Sequence, residues 1–285
     1  MTKNKIRLLA LDLDGTVLTS ANTLDAEVKK AIENAVESGI EIVVASGRPF
    51  CSMPEDVLGI EGIRYIIASN GAAVYDGSKN RVRSVTLKEA DVLKIMELTS
   101  EYDLIWEAFC DGETCTDRRY YENPVKYGCG EAYVDYVRSS RGCTDDMRKY
   151  IFNRRAELDS IEFVCNKPAQ REKIRALLKE NLGGVYITSS SADFVEFMDG
   201  EATKSSAVRF ICEREGIDIK NTAACGNADN DVDMIAQAGL GAAVKNASKL
   251  CLDCADLIVE SNDNNGVKQL IDAIMEHRIP SKKTL

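Results

Sequence analysis

The chain has 285 residues, of which 45% are hydrophobic and 29% charged, enough for a full core without disulfides or structural metal and more than one compact domain usually holds. Its 46 acidic residues against 36 basic ones leave a net charge of -10, which repels the phosphates of nucleic acid and the anionic surface of a membrane. Apolar runs such as IRLLALDL and IEIVVA fall well short of the roughly 20 residues that a membrane span needs.

Short apolar, β-branched runs alternate with amphipathic stretches from the start, the pattern of a parallel sheet covered on both faces. Ile6 to Leu11 reads as the first strand. The segment LDAEVKKAIENAVESG sets Leu24, Val28, Ala31, Ile32, Ala35 and Val36 on one helical stripe, with Gly39 placed to end it. A second strand, IEIVVAS, follows, and a third, IRYIIAS, runs into Asn70 and Gly71. The tail repeats the rhythm: ADFVEFM as strand, TKSSAVRFICEREG as helix closed by Gly216, NTAACG as strand, NDVDMIAQAG as helix and LGAAV as strand.

Between these halves the texture changes, with the long loop DGETCTDRRYYENPVKYGCG and isolated strands such as SIEFVCN and GVYITSS. A βαβ unit takes some 30 residues, so an interruption of about 100 reads as a second domain inserted into the first. The expected division is a core of residues 1–82 and 190–285 and a mixed αβ cap of 83–189.

Ligands of open parallel sheets sit beyond the carboxyl ends of the strands, and four loops there carry polar residues: Asp12-Leu13-Asp14-Gly15-Thr16, Ser46-Gly47-Arg48, Asn70-Gly71, and Gly226-Asn227-Ala228-Asp229-Asn230-Asp231. Asp12 and Asp14 are two apart, so both carboxylates reach one pocket and repel unless a cation lies between them; a hard, oxygen-seeking ion such as Mg²⁺ resolves this. Asn227, Asp229, Asn230 and Asp231 add oxygen donors, and no cysteine or histidine near these motifs offers a softer site. Ser46 and the amides after it are expected at a helix start, where a phosphate is favoured. Lys204, in the first turn of the later helix, supplies positive charge for a phosphoryl group in transfer. Singly, these residues also suit turns, helix caps and a solvated lysine. Jointly, they place what phosphate and magnesium require at one sheet edge.

Ten cysteines suggest disulfides in a short secreted chain, but this chain is long and opens without an apolar signal segment, so the expectation is reduced thiols in the cytoplasm. Cys251 and Cys254 form an isolated C-x-x-C and Cys110 and Cys115 a looser pair, with no second pair or nearby histidine to complete a zinc site. The pattern is silent on oligomeric state.

At the four loops the sequence resembles the haloacid dehalogenase superfamily, and within it the Cof-type phosphatases with a large αβ cap, over essentially its whole length. DLDGT at 12–16 is similar to the nucleophile motif, Ser46 with GRP to the second, Lys204 to the third and GNADNDVDM at 226–234 to the fourth; SNGAAVYD at 69–76 and DGETCTDRRYYEN in the cap lend support. The resemblance implies an α/β protein, a Rossmann-like parallel-sheet core with an inserted α+β cap, acting as a magnesium-dependent phosphatase of small phosphorylated metabolites such as sugar phosphates. Asp12 would attack phosphorus and form an aspartyl-phosphate, and Asp14 would protonate the leaving oxygen and then activate water. Ser46, Gly47, Lys204 and Asn230 would hold the phosphoryl oxygens, and Asp12, the Asp14 carbonyl, Asn227 and Asp231 the metal. The family usually has Asp where this chain has Asn227, which implies weaker magnesium binding or a larger role for Asp231; Ser205 stands where glycine commonly follows the lysine. Arg118, Arg119, Tyr120 and Tyr121 are cap candidates for contact with the leaving portion.

A phosphomutase or phosphotransferase of the same superfamily shares all four motifs and differs in passing the phosphoryl group to a hydroxyl other than water's. A non-catalytic phosphate-binding protein would keep the sheet edge but has no need of Asp12, Asp14 and Lys204 together. A redox or zinc module built on the cysteines predicts bound metal or thiol reactivity.

Overall fold

The computed structural model describes residues 5–189 and 193–277. Numbered along the chain, the strands are β1 (Leu8–Asp12), β2 (Glu41–Ala45), β3 (Tyr65–Ala68), β4 (Ala73–Asp76), β5 (Arg81–Ser84), β6 (Ile105–Cys110), β7 (Glu113–Asp117), β8 (Gly142–Thr144), β9 (Leu158–Val164), β10 (Val185–Thr188), β11 (Phe194–Asp199), β12 (Thr222–Gly226), β13 (Leu240–Val244) and β14 (Leu257–Val259). One sheet has eight strands in the order β14-β13-β12-β1-β2-β3-β4-β5, parallel from β14 to β3 and antiparallel from β3 to β5. The other has six in the order β10-β11-β9-β6-β7-β8 and is antiparallel except for β7 with β8.

Side chains alternate across a strand, and β1 uses both of its faces. Leu9 and Leu11 pack under the helices Ala26–Glu37 and Gly266–Met275, while Leu8 and Ala10 pack under Lys204–Glu215. Burial on both sides is why this strand reads as a continuous apolar run. Of the predicted helical stripe, Val28, Ala31, Ile32 and Ala35 are buried and Leu24 and Val36 lie at its margin. Asp25 caps that helix by accepting from the Glu27 amide, and Gly216 ends the helix Lys204–Glu215 in the left-handed conformation with φ 61°.

The six-stranded sheet is asymmetric. Trp106, Phe163 and Phe197 turn one face into the helices Glu89–Leu98, Met147–Arg154 and Pro168–Asn181. Their neighbours Glu107, Glu162 and Glu196 turn to the other face, the one toward the larger sheet. Two expectations about the division need correction. Arg81–Ser84 is the edge strand of the larger sheet, so that sheet runs past residue 82, and the strand read as ADFVEFM pairs with β9 and β10 in the smaller sheet, which therefore extends to Asp199. An alternating apolar pattern looks the same in either sheet, so sequence alone does not say which one a strand joins. Residue 190, where the core was expected to resume, and Ala192, where that strand was read to start, lie outside the described residues. Among the described residues no helix is long and apolar enough to cross a membrane.

Candidate active site

Strands β1, β2, β3 and β12 run parallel, so the residues that follow them gather at one end of the sheet. Asp12, the last residue of β1, is 4% exposed. The chain then turns through Gly15 at φ 74°, where an added Cβ would lie 2.5 Å from Asn227 Nδ2, so both the backbone angle and the space call for glycine.

Lys204 opens the helix Lys204–Glu215, held there by Thr203, which caps the Ser206 amide. Its ammonium group, 1% exposed, stands 2.6 Å from Asp12 Oδ1 and 2.7 Å from Asp231 Oδ1. The other oxygen of Asp231 accepts the amides of Asn227 and Ala228 at 2.9 and 3.0 Å. Gly226 leaves room for this carboxylate, which a side chain there would strike. Burial, reinforced by Asp231 and opposed by Lys204, lifts the Asp12 pKa to about 7. On Lys204 burial pulls the other way, but the two carboxylates outweigh it and the ammonium is held above its usual value. Asp12 Oδ2 is buried without a hydrogen-bond partner among the described residues.

Asp14 is gripped by Arg48, Nε to Oδ2 at 2.9 Å and Nη2 to Oδ1 at 2.5 Å. The same guanidinium reaches Asn22 Oδ1 and the Ser52 carbonyl and lies 4.4 Å from the centre of the Tyr136 ring, across the gap between the two sheets. Ser46 is fully buried; its Oγ accepts the Arg48 amide at 3.1 Å, and its hydroxyl hydrogen has no acceptor among the described residues. Contrary to expectation, Ser46 does not open a helix. Pro49 disfavours helical geometry at Arg48, and the chain makes only a short turn at Phe50–Ser52 before the helix Glu55–Leu58.

Asn230 Nδ2 donates to Asn70 Oδ1 at 2.8 Å, while its own Oδ1 is buried without a partner among the described residues. Asn70, at φ 56°, donates in turn to Glu196 Oε2 at 2.7 Å, so one chain of amides and carboxylate joins two core loops to the smaller sheet. Asn227 Oδ1 accepts from Thr16 Oγ1 at 3.2 Å. Gly47 borders the cavity, and a Cβ there would press on the Asn70 amide at 3.3 Å.

Between the sheets lies a cavity of about 410 Å³. Asp12, Asp14, Arg48, Asn227 and Asn230 form its floor; Tyr120, Tyr133, Tyr136, Arg141, Glu162 and Glu196 contribute to its roof. Of the cap residues singled out from sequence only Tyr120 reaches it. Arg118 pairs with Asp145, Arg119 with Asp103 and Asp117, and the Tyr121 hydroxyl donates to the Arg138 carbonyl. Arg141, Glu162 and Glu196 were missed, and Asn70, placed among the four loops, was given no role. Asn70 carried a signal, since it follows a strand of the same set as Asp12 and Ser46.

The donors that face a hard cation are oxygens: the unpartnered Asp12 Oδ2 and the Asn227 carbonyl. Among the described residues no three acidic, cysteine or histidine side chains converge as a ready-made metal cage. A partly hydrated ion held by one or two carboxylates is the usual magnesium arrangement, so the residues present fit that ion. The ten cysteines are all free. Cys251 donates to the Ala228 carbonyl at 2.9 Å and Cys254 to the Cys251 carbonyl at 3.3 Å, and burial pushes the Cys251 thiol up to about 12.

Residues 9–271 match the family model described as haloacid dehalogenase-like hydrolase. The chain is 28% identical over 274 residues to the Bacillus subtilis protein YxeH, covering 94% of this chain and 98% of YxeH. It is 25% identical over 274 residues to YcsE of the same organism, a 5-amino-6-(5-phospho-D-ribitylamino)uracil phosphatase, over 93% of this chain and 94% of YcsE. The solved structure of a haloacid dehalogenase-like hydrolase from B. subtilis superposes with a TM-score of 0.78 at 26% identity, covering 94% of this chain and 99% of the other.

Proposed function

The chain belongs to the haloacid dehalogenase-like hydrolases and is a phosphatase of that family, and from that premise we propose that it hydrolyses small phosphomonoesters, sugar phosphates or similar, with Asp12 as nucleophile and Mg²⁺ as cofactor. The observation that carries this reading is the buried Asp12, held through one oxygen by Lys204 with the other unpartnered, on the floor of a cavity of about 410 Å³.

Asp12 attacks phosphorus, the ester oxygen leaves, and an aspartyl-phosphate remains on its carboxylate. Lys204 keeps that carboxylate in place and faces the transferring phosphoryl group with a fixed positive charge, which acts strongly in a site shielded from water. Ser46 has a hydroxyl hydrogen to give a phosphoryl oxygen, beside the Gly47 backbone. Asn230 contributes through its amide once a ligand competes with Asn70 for it. Asp14 passes a proton to the leaving oxygen and later takes one from the attacking water, while Arg48 fixes the direction of its carboxylate. A magnesium ion held by Asp12, the Asp14 carbonyl, Asn227 and Asp231 would offset the charge of the phosphoryl group in transfer. Asp231 has both oxygens engaged by Lys204 and two amides, so it joins such a set only by sharing an oxygen.

The test is phosphate release from p-nitrophenyl phosphate and a panel of metabolite phosphates, with and without Mg²⁺, for the wild type and Asp12→Asn. Turnover by the wild type alone supports the assignment. Equal turnover by the variant removes Asp12 as nucleophile, and an isomeric phosphate ester as product moves the reading to a mutase.

A further inference from the structure

Glu107, Glu162 and Glu196 stand side by side on β6, β9 and β11, Glu162 being the register partner of both others. They are 0%, 7% and 2% exposed. Glu107 is taken by Arg141, Nε to Oε2 at 2.8 Å, and Glu196 accepts from Asn70. Glu162, between them, borders the cavity and receives no hydrogen bond from any described residue.

Such a row is costly. Like charges directly opposite one another destabilise a sheet, and a carboxylate taken out of water without a donor loses its solvation uncompensated. Burial, with the flanking Glu107 and Glu196, accordingly holds the Glu162 carboxyl well above the usual carboxylate range. Among the described residues Arg141 offsets the charge of this row only in part, and the basic groups at the cavity are already engaged: Lys204 with Asp12 and Asp231, Arg48 with Asp14, Arg141 with Glu107. The missing complement must come from the cavity. A ligand hydroxyl would give Glu162 one hydrogen bond and leave the repulsion in place, whereas an ammonium group supplies both donors and the opposite charge.

We propose that Glu162, flanked by Glu107 and Glu196, is a specificity-determining subsite for a protonated amine on the leaving portion of the phosphomonoester. The assignment rests on the phosphatase reading and names its substrate class: the phosphate lies on the Asp12 floor and the ammonium group beneath the Glu162 roof.

Matched esters that differ in amine against hydroxyl test it, such as glucosamine 6-phosphate with glucose 6-phosphate and phosphoethanolamine with glycol phosphate, each assayed with Mg²⁺ beside p-nitrophenyl phosphate. The expected result is a kcat/KM for an amine-bearing member about tenfold or more above that of its hydroxyl twin, the worth of a charged hydrogen bond. In Glu162→Gln that ratio falls toward unity, chiefly through KM of the amine. Equal kcat/KM for the twins in a wild type that hydrolyses p-nitrophenyl phosphate overturns the subsite and leaves the phosphatase standing. If no ester turns over, the phosphatase reading fails, and calorimetric Kd values of the same twins on the Mg²⁺-loaded wild type decide the subsite: tighter binding of an amine keeps it, equal binding overturns it. The wild-type ratios need no variant, so poor folding of Glu162→Gln leaves the test intact.

Discussion

Arg48 holds Asp14 by two parallel contacts, Nε to Oδ2 at 2.9 Å and Nη2 to Oδ1 at 2.5 Å, while its guanidinium lies against Tyr136 from the smaller sheet. One side chain thus fixes the carboxylate assigned to proton transfer and touches the roof of the cavity. Arg48→Lys keeps the charge but loses the planar fork. Its kcat/KM for p-nitrophenyl phosphate is expected to fall by roughly tenfold to a hundredfold, the worth of one charge-assisted hydrogen bond. An unchanged kcat/KM would remove Arg48 from the machinery.

Among the described residues Lys204 is the one salt-bridge partner of both Asp12 and Asp231. Replacing it with methionine leaves two buried carboxylates without their cation, a change that typically costs about 3–5 kcal/mol. Urea unfolding should show a loss of that size together with loss of turnover. Asp12→Asn should cost less, because Lys204 keeps Asp231. A Lys204→Met protein as stable as the wild type would contradict the electrostatic account.

Asn227 offers its amide oxygen where the family resemblance leads one to expect a carboxylate. In Asn227→Asp the contact with Thr16 can persist, since the replacement oxygen still accepts from that hydroxyl. Magnesium affinity, measured by calorimetry, is expected to tighten on the order of tenfold with the added ligand charge. Equal affinity in the two proteins would sink the idea that Asn227 weakens the site.

Glu162 makes stability depend on pH. Its folded pKa lies well above the ordinary 4.5, and the groups facing it are Glu107, Glu196 and Arg141. A raised folded value means that the native state binds the proton more tightly, so the contribution is fully present below 4.5 and lost as the pH rises through the folded value. Urea midpoints of the wild type should therefore decline across that interval more steeply than those of Glu162→Gln. Parallel declines would show that Glu162 does not carry the effect.

Much of the floor was legible because a parallel sheet forces it. Asp12, Ser46 and Asn227 each follow an apolar run, and runs that must lie parallel bring their ends together whatever the intervening helices do. Lys204 was readable from a helix start with Thr203 before it. The roof was not. Glu107, Glu162 and Glu196 are far apart in sequence, each sits inside a strand that resembles any half-buried strand, and only the antiparallel register sets them in a row. The Asn70 bridge was hidden for the same reason, since Glu196 lay on a strand first read as part of the core.

The chain leaves the larger sheet after Ser84 and re-enters with the helix that Lys204 begins, and the two crossings are neighbours: Arg83 donates to the carbonyls of Gly71 and Glu201 and to Ser206 Oγ. The entropy of closing a loop depends on where its ends lie and only slowly on its length. With both ends fastened at one guanidinium, the register of the larger sheet is indifferent to what is strung between them. Along this polypeptide path a short turn from Ser84 to Thr203 would leave the order of every strand in the larger sheet unchanged.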